Sequence, residues 1–232
     1  MGRNVGTAGG SADRSARRGA ICGAALELAA QGGNRAVTHH AIDDRLAIAR
    51  GSTSYYYRTR QELLRAAVIH LATTSRRAFQ AALGDGDASV PTVESAADLM
   101  AGQLDLLLGP RRLDALARYA LAADAAGDAE LREALAGCLF SVPAATGLFE
   151  ALAAADSKQV TPSRKRAVPE SGQLFGPEQA ARDLVSLLEG LLLDRLHGTR
   201  SLLGLEAGTP ASLADLRPPV LRWLTVLGNG IR

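Results

Sequence analysis

The sequence predicts an all-α chain in two parts: an N-terminal three-helix module containing a helix-turn-helix, and a larger helical body behind it. Three observations carry this reading. Apolar residues recur at intervals of three and four through segment after segment, which is the helical period. Two short helical patterns meet at a tight turn between residues 38 and 57. Charge is divided unevenly: residues 1–77 hold 12 Arg and no Lys against 5 Asp or Glu, whereas residues 78–232 hold 14 basic against 19 acidic residues. The net +2 therefore separates into +7 and −5. A basic module joined to an acidic body is the electrostatic footprint of a nucleic-acid partner, and counterion release makes such binding salt-dependent.

Residues 1–12 are rich in Gly, Ala, Ser and Asn, cannot bury a core, and read as a disordered tail. A helix is expected from Asp13 or Ser15, with Ala20, Ile21, Ala24, Ala25, Leu28 and Ala29 on its apolar face and a stop at Gly32-Gly33. It leaves Arg14, Arg17 and Arg18 free to reach a nucleic-acid backbone.

Thr38 has the hydroxyl of an N-cap, and Ala41, Ile42 and Leu46 follow it as a helix of about two turns. The pattern breaks at residues 47–49, where Ile48 plugs the corner, and a second short helix is expected from Arg50 to about Tyr57. At 100° per residue Thr53 and Tyr57 share one face, Gly51, Ser52 and Tyr55 the opposite one, and Tyr56 the edge. Tyr57 is read as core. The outward face, with Arg50 at its start, suits close approach to phosphates and base edges. Thr38 and His39 at the start of the preceding helix join it as expected DNA contacts, as does Arg60 beside the N-terminus of the next helix. That third helix runs from Glu62 to about Ala82, with Leu64, Ala67, Val68 and Leu71 on one face.

The run THHAIDDRLAIARGSTSYYYRTRQELL resembles the N-terminal domain of the TetR (tetracycline repressor) family of bacterial transcriptional regulators. Against the pattern T-x-x-x-I-A-x-x-A-G-V-S-x-G-T-L-Y-x-H-F-x-S-K-E-x-L it keeps Thr38, Ile42, Gly51 and Leu63. Ile48, Ser52, Tyr57, Thr59 and Arg60 are conservative substitutions. It departs at Asp43 (for Ala), Leu46-Ala47 (for Ala-Gly), Ala49 (for the capping Ser) and Thr53-Ser54 (for Leu-Tyr). The Asp43-Asp44 pair reads as surface charge. The wording GSTSYYYRTR is similar to a variant of the family in high-GC actinobacteria. What the resemblance implies is a homodimeric repressor that grips a palindromic operator in double-stranded DNA and is released by a small-molecule effector.

In the body, GDGDASVP at residues 84–91 is the clearest loop and the expected boundary between a DNA-binding domain, 13–83, and an effector-binding and dimerisation domain, 84–232. Helices are expected over Thr92–Leu108, Arg111–Ala126 and Asp128 to about Leu152, the last interrupted by Pro143. Met100, Tyr119 and Phe140 are candidates to line an effector cavity, with plain core packing as the alternative. Residues 154–176, with Arg164-Lys165-Arg166, lack periodicity and read as a mobile loop. Pro177 suits a first helical position, and that helix runs to Gly198. A last helix spans Ser212–Leu227 and is entered or kinked at Pro218-Pro219. Leu184, Leu188, Leu191 and Leu192, with Val220, Trp223 and Leu224, make both helices apolar over more than one stripe. They are expected to form a four-helix interface between two copies of the chain.

Other functions lack their residues. No apolar stretch of about 18 residues and no signal sequence is found, so a membrane is not an expected partner and the expected location is the cytoplasm. Cys22 and Cys138 are too few and too distant for a disulfide framework or zinc site, and read as buried thiols. His39 and His40 are adjacent, hence splayed about 100° apart, which suits metal ligation poorly. With no phosphate-cradling Gly loop, nucleophile motif or ligand-spaced cluster, neither catalytic residues nor a cofactor are expected beyond an unidentified effector. A DNA-binding activator without a small ligand fits the same residues, and a helical enzyme is the remote alternative.

Overall fold

The computed structural model describes residues 8–83, 91–159 and 175–231, and all regular structure among them is helical. The elements are α1 (Ala8–Gly32), α2 (His39–Arg45), α3 (Ser52–Tyr56), α4 (Arg60–Leu83), α5 (Val93–Leu108), α6 (Arg112–Leu121), α7 (Ala129–Ala136), α8 (Val142–Gln159), α9 (Pro177–His197) and α10 (Pro210–Ile231). They divide into two compact units, Met1–Gln80 with Leu113–Leu139, and Ala81–Arg112 with Phe140–Arg232.

The first unit is built on one apolar cluster. Ile21, Ala25 and Ala29 of α1, Ile42 of α2, and Leu63, Leu64, Val68 and Leu71 of α4 share it with Tyr57. Ala117, Leu121, Leu131, Leu135 and Cys138 belong to the same cluster, which is why residues 113–139 fall in this unit. Helix α1 begins at Ala8, so the expected tail is helical over 8–12, and residues 1–7 lie outside the described part. Thr38 caps α2 as its sequence predicts, accepting from the Ala41 N–H at 3.1 Å. Both cysteines are buried in this unit and neither is in a disulfide.

In the second unit α9 packs against α5, α8 and α10, and α10 packs against α5. Thr92 and Ser95 form a reciprocal capping box on α5. Asp105 holds the start of α10, accepting from the Ser212 hydroxyl at 2.6 Å and the Gly208 N–H at 2.7 Å. The break expected at Pro143 is present: the segment from Asp128 is split into α7 and α8, and Pro143 sits in the first turn of α8, where its missing N–H leaves no bond broken. Two other local expectations change. Helix α8 continues to Gln159, which shortens the expected 154–176 loop; residues 160–174, with the basic triplet, lie outside the described part. Pro218 and Pro219 lie inside α10, which starts at Pro210 and runs through them.

The leucine-rich face of α9 is also reassigned. Leu184, Leu188, Leu191 and Leu192, with Val220 and Leu224 of α10, were expected between two chains, but all six are buried within one. Three neighbouring helices cover the apolar girth of α9, so an intrachain core accounts for the pattern. Trp223 is half-buried, and the large apolar side chains exposed on these helices are Leu193, Leu213 and Val226.

Candidate nucleic-acid interface

Helices α2 and α3 form the helix-turn-helix, and its corner rests on two residues with positive φ. Ala47 has φ +51° and Gly51 has φ +88°, so the chain turns twice through the left-handed region between Leu46 and Ser52. Gly51 carries no Cβ penalty there. Ala47 does, and it stands where the resemblance has Gly. Because Gly51 is left-handed it is the N-cap of α3 and not part of it. The helix starts at Ser52, two residues later than expected, and Arg50 lies in the turn.

Helix α3 is five residues long and supplies no side-chain cap of its own. The Ser52 N–H donates to the Ala49 carbonyl at 3.0 Å. The next partner comes from α2. Asp43 Oδ2 accepts from the Gly51 N–H and Oδ1 from the Thr53 N–H, both at 2.8 Å. Asp43 is 0% exposed, so it is a buried tertiary cap and not surface charge. Burial pushes its carboxyl up, but the bonds from Thr53 and Gly51, with the nearby His40, outweigh burial and hold the pKa below its ordinary value. No local spacing marks this role; the only signals were the missing Ser at position 49 and an acidic residue where the family has Ala.

Within α3 the inward Thr53 and outward Tyr55 fall as the 100° rule predicts, whereas Gly51 and Tyr57 flank the helix in non-helical backbone. Thr53 and Tyr57 are buried, Tyr55 is 74% exposed, Gly51 and Ser54 are exposed, and Ser52 and Tyr56 are half-buried. The rings of Tyr55 and Tyr56 meet edge to face at 5.2 Å, which steadies the exposed phenol. Tyr57 points inward to the Cys22 thiol at 3.3 Å, and the Arg18 guanidinium lies 5.2 Å over its ring. Burial first, and then the bond to Cys22, push the Tyr57 phenol up to about 12.

Two expected contacts have intramolecular partners. His39 donates from Nε2 to the Tyr57 carbonyl at 2.8 Å, tying the start of α2 to the end of α3. Arg60 was expected to clamp phosphate. Its guanidinium instead donates to the Asn34 carbonyl at 2.9 Å, to the Asn34 side chain, to the Val37 carbonyl at 3.3 Å and to Asp124 at 3.4 Å. Four acceptors surround its five N–H groups, so Arg60 is a strut between α4 and the turn before α2. Arg45 is similarly held by Glu27 at 2.7 Å and Gln31 at 3.0 Å. Thr38, Arg50 and Arg58 are exposed, and among the described residues no ion pair occupies the Arg50 or Arg58 guanidinium. The turn before α3, the helix and the residues after it thus offer two arginines outside any ion pair among the described residues, an exposed phenol and a bare backbone at Gly51.

Of the expected cavity residues, Met100 and Phe140 belong to the second unit and Tyr119 to the first. The second unit has a cavity of about 450 Å3 lined by other residues, among them Phe149, Leu152, Leu224 and Ile231 with Thr92, Glu94 and Asn229. Among the described residues no His/Cys/Asp/Glu group could hold a metal, and no helix is long and apolar enough to cross a membrane.

No family model and no curated protein matches the sequence. Solved structures do match. A putative TetR-family transcriptional regulator from Rhodococcus sp. is 22% identical, with 92% of this chain and 99% of that one covered, at a TM-score of 0.59. The multidrug binding protein EbrR, complexed with imidazole, is 21% identical over 89% and 94% of the two chains, at 0.56; it has also been solved with ethidium. A TetR-family member from Streptomyces coelicolor is 19% identical over 93% and 98%, at 0.55. At these identities the likeness is one of fold.

Proposed function

We propose that this chain is a TetR-type transcriptional regulator, a homodimer that binds a palindromic operator in double-stranded DNA and is released by a small molecule. The observation that carries the reading is the surface around α3, where Arg50, Gly51 and Tyr55 are exposed and Ser52 half-buried, beside exposed Arg58, on a module of net charge +7. Arginines and Thr38 supply phosphate contacts, which set affinity and register. Ser52, Tyr55 and the edge of Tyr56 reach base edges, which set sequence. A recognition helix this short reads only a few base pairs, so two copies on a two-fold axis, with half-sites about 34 Å apart, supply the rest.

The exposed apolar side chains of α9 and α10, Leu193 and Val226, with half-buried Trp223, support dimerisation through those helices. The 450 Å3 cavity supports an effector, being within the size range of small-ligand sites. The EbrR complexes are with small molecules, and a ligand of that kind suits a cavity of mixed polar and apolar lining with Glu94 at its wall. The protein then acts in the cytoplasm, on DNA, with no catalytic step.

Selection of duplexes from a random pool tests the reading. An enriched sequence with two-fold symmetry, bound by a dimer, is the expected result. Equal retention of all sequences by folded protein would overturn it.

A further inference from the structure

We propose that Asp43 is a positioning residue for operator recognition: its carboxylate, buried in α2, fixes the angle at which α3 is presented to DNA. This rests on the reading of the chain as an operator-binding regulator. A five-residue helix cannot hold its own shape, since isolated helices shorter than about 12 residues are marginal in water. Its first N–H groups have no intrahelical acceptor. Gly51 has no side chain to cap them and the Ala49 methyl cannot, so both acceptor oxygens of Asp43 do so from another helix. Two charge-assisted bonds of 2.8 Å to N–H groups two residues apart define a direction as well as a distance. The negative charge also faces the positive end of α3.

Asp43 is fully buried and so does not touch DNA. Its effect is therefore expected in discrimination between sequences, which depends on where Ser52 and Tyr55 point, and not in phosphate attraction, which Arg50 and Arg58 supply from the exposed surface. Asp43→Asn keeps the volume and one acceptor but turns an NH2 toward one of the two N–H groups.

The test measures affinity for the duplex that wild type selects and for an unrelated duplex of equal length. Asp43→Asn is expected to lower the ratio of the two about tenfold or more, with the unrelated duplex bound as before. Asp43→Ala combined with Ala49→Ser puts a hydroxyl two residues before the Gly51 N–H, the spacing of a Ser/Thr turn. That double variant is expected to recover most of the ratio. A folded Asp43→Asn protein with a ratio within twofold of wild type would overturn the proposal. If that variant does not fold, hydrogen exchange on wild type decides. The Gly51 and Thr53 amides are expected to be protected although first-turn amides ordinarily exchange fast, and free exchange of both would overturn the proposal. A wild-type protein that selects no sequence overturns the parent reading instead, which separates the two failures.

Discussion

The Arg65 guanidinium on α4 donates to the Asp128 carboxylate at 2.9 Å, and that carboxylate also caps α7, accepting from the Leu131 N–H at 3.1 Å. Gln61 adds a third bond at 3.0 Å and Arg65 reaches Glu130 as well. One side chain thus joins the long helix behind the reading head to the segment 113–139. The bond from Arg65, then those from Gln61 and the Leu131 N–H, hold the Asp128 carboxyl well below the usual carboxylate range. A depressed carboxyl contributes stability that is present above its unfolded pKa, about 4, and is lost as pH falls through the folded value. Asp128→Asn is expected to lower the melting midpoint by several degrees at pH 7 and to weaken the fall in stability below pH 4. Thermal melts at pH 7 and pH 3 check both.

Arg60→Ala separates a strut from a DNA contact. Loss of the bonds to Asn34, Val37 and Asp124 is expected to destabilise the protein by about 1–3 kcal/mol in urea unfolding. Arg58→Ala leaves stability unchanged to within about 0.5 kcal/mol. It is expected to weaken binding to all duplexes and to flatten the salt slope by about one. The reverse pattern would exchange their roles.

Ala47→Gly relieves the left-handed alanine at φ +51°. The strain there is about 1–2 kcal/mol, and the added freedom of glycine in the unfolded chain offsets about 0.4–1 of it. A net gain of about 0.5–1 kcal/mol is expected from denaturant midpoints. Gly51→Ala has open space for its Cβ but the wrong φ, and is expected to destabilise by about 1–2 kcal/mol.

Tyr57 sets an alkaline limit. Its phenol, pushed up to about 12, favours the folded state while neutral. That stability is fully present below the unfolded pKa of about 10 and is lost as pH rises through the folded value. Tyr57→Phe is expected to reduce the loss of stability between about pH 10 and 12, measured as urea midpoints across that range.

Leu193→Glu with Val226→Glu is expected to give folded monomers, since these side chains are 43% and 63% exposed. Leu188→Glu buries a charge in a core position and is expected to unfold the second unit, a penalty of several kcal/mol. Sedimentation together with circular dichroism distinguishes the outcomes.

The residues that the sequence made legible are those whose roles are local. Thr38 caps the helix that follows it within three residues, Pro177 opens the helix in which it stands, and the inward turn of Thr53 and outward turn of Tyr55 follow from 100° per residue. Roles set by tertiary neighbours were not legible. Asp43 reads as surface charge until Gly51 and Thr53 are brought against it, and Arg60 reads as a phosphate clamp until Asn34 closes on it. The leucines of α9 show the same limit: period reveals that a helix is apolar on several faces, but not whether its own chain or a second copy covers them.

Footprinting on the DNA upstream of the protein's own gene, repeated at several salt concentrations, tests the central claim most directly. The account predicts two protected half-sites related by two-fold symmetry, about one helical turn apart, with protection that fades steeply as salt rises. Folded dimer that protects no sequence at low salt, or protects DNA uniformly, would contradict it.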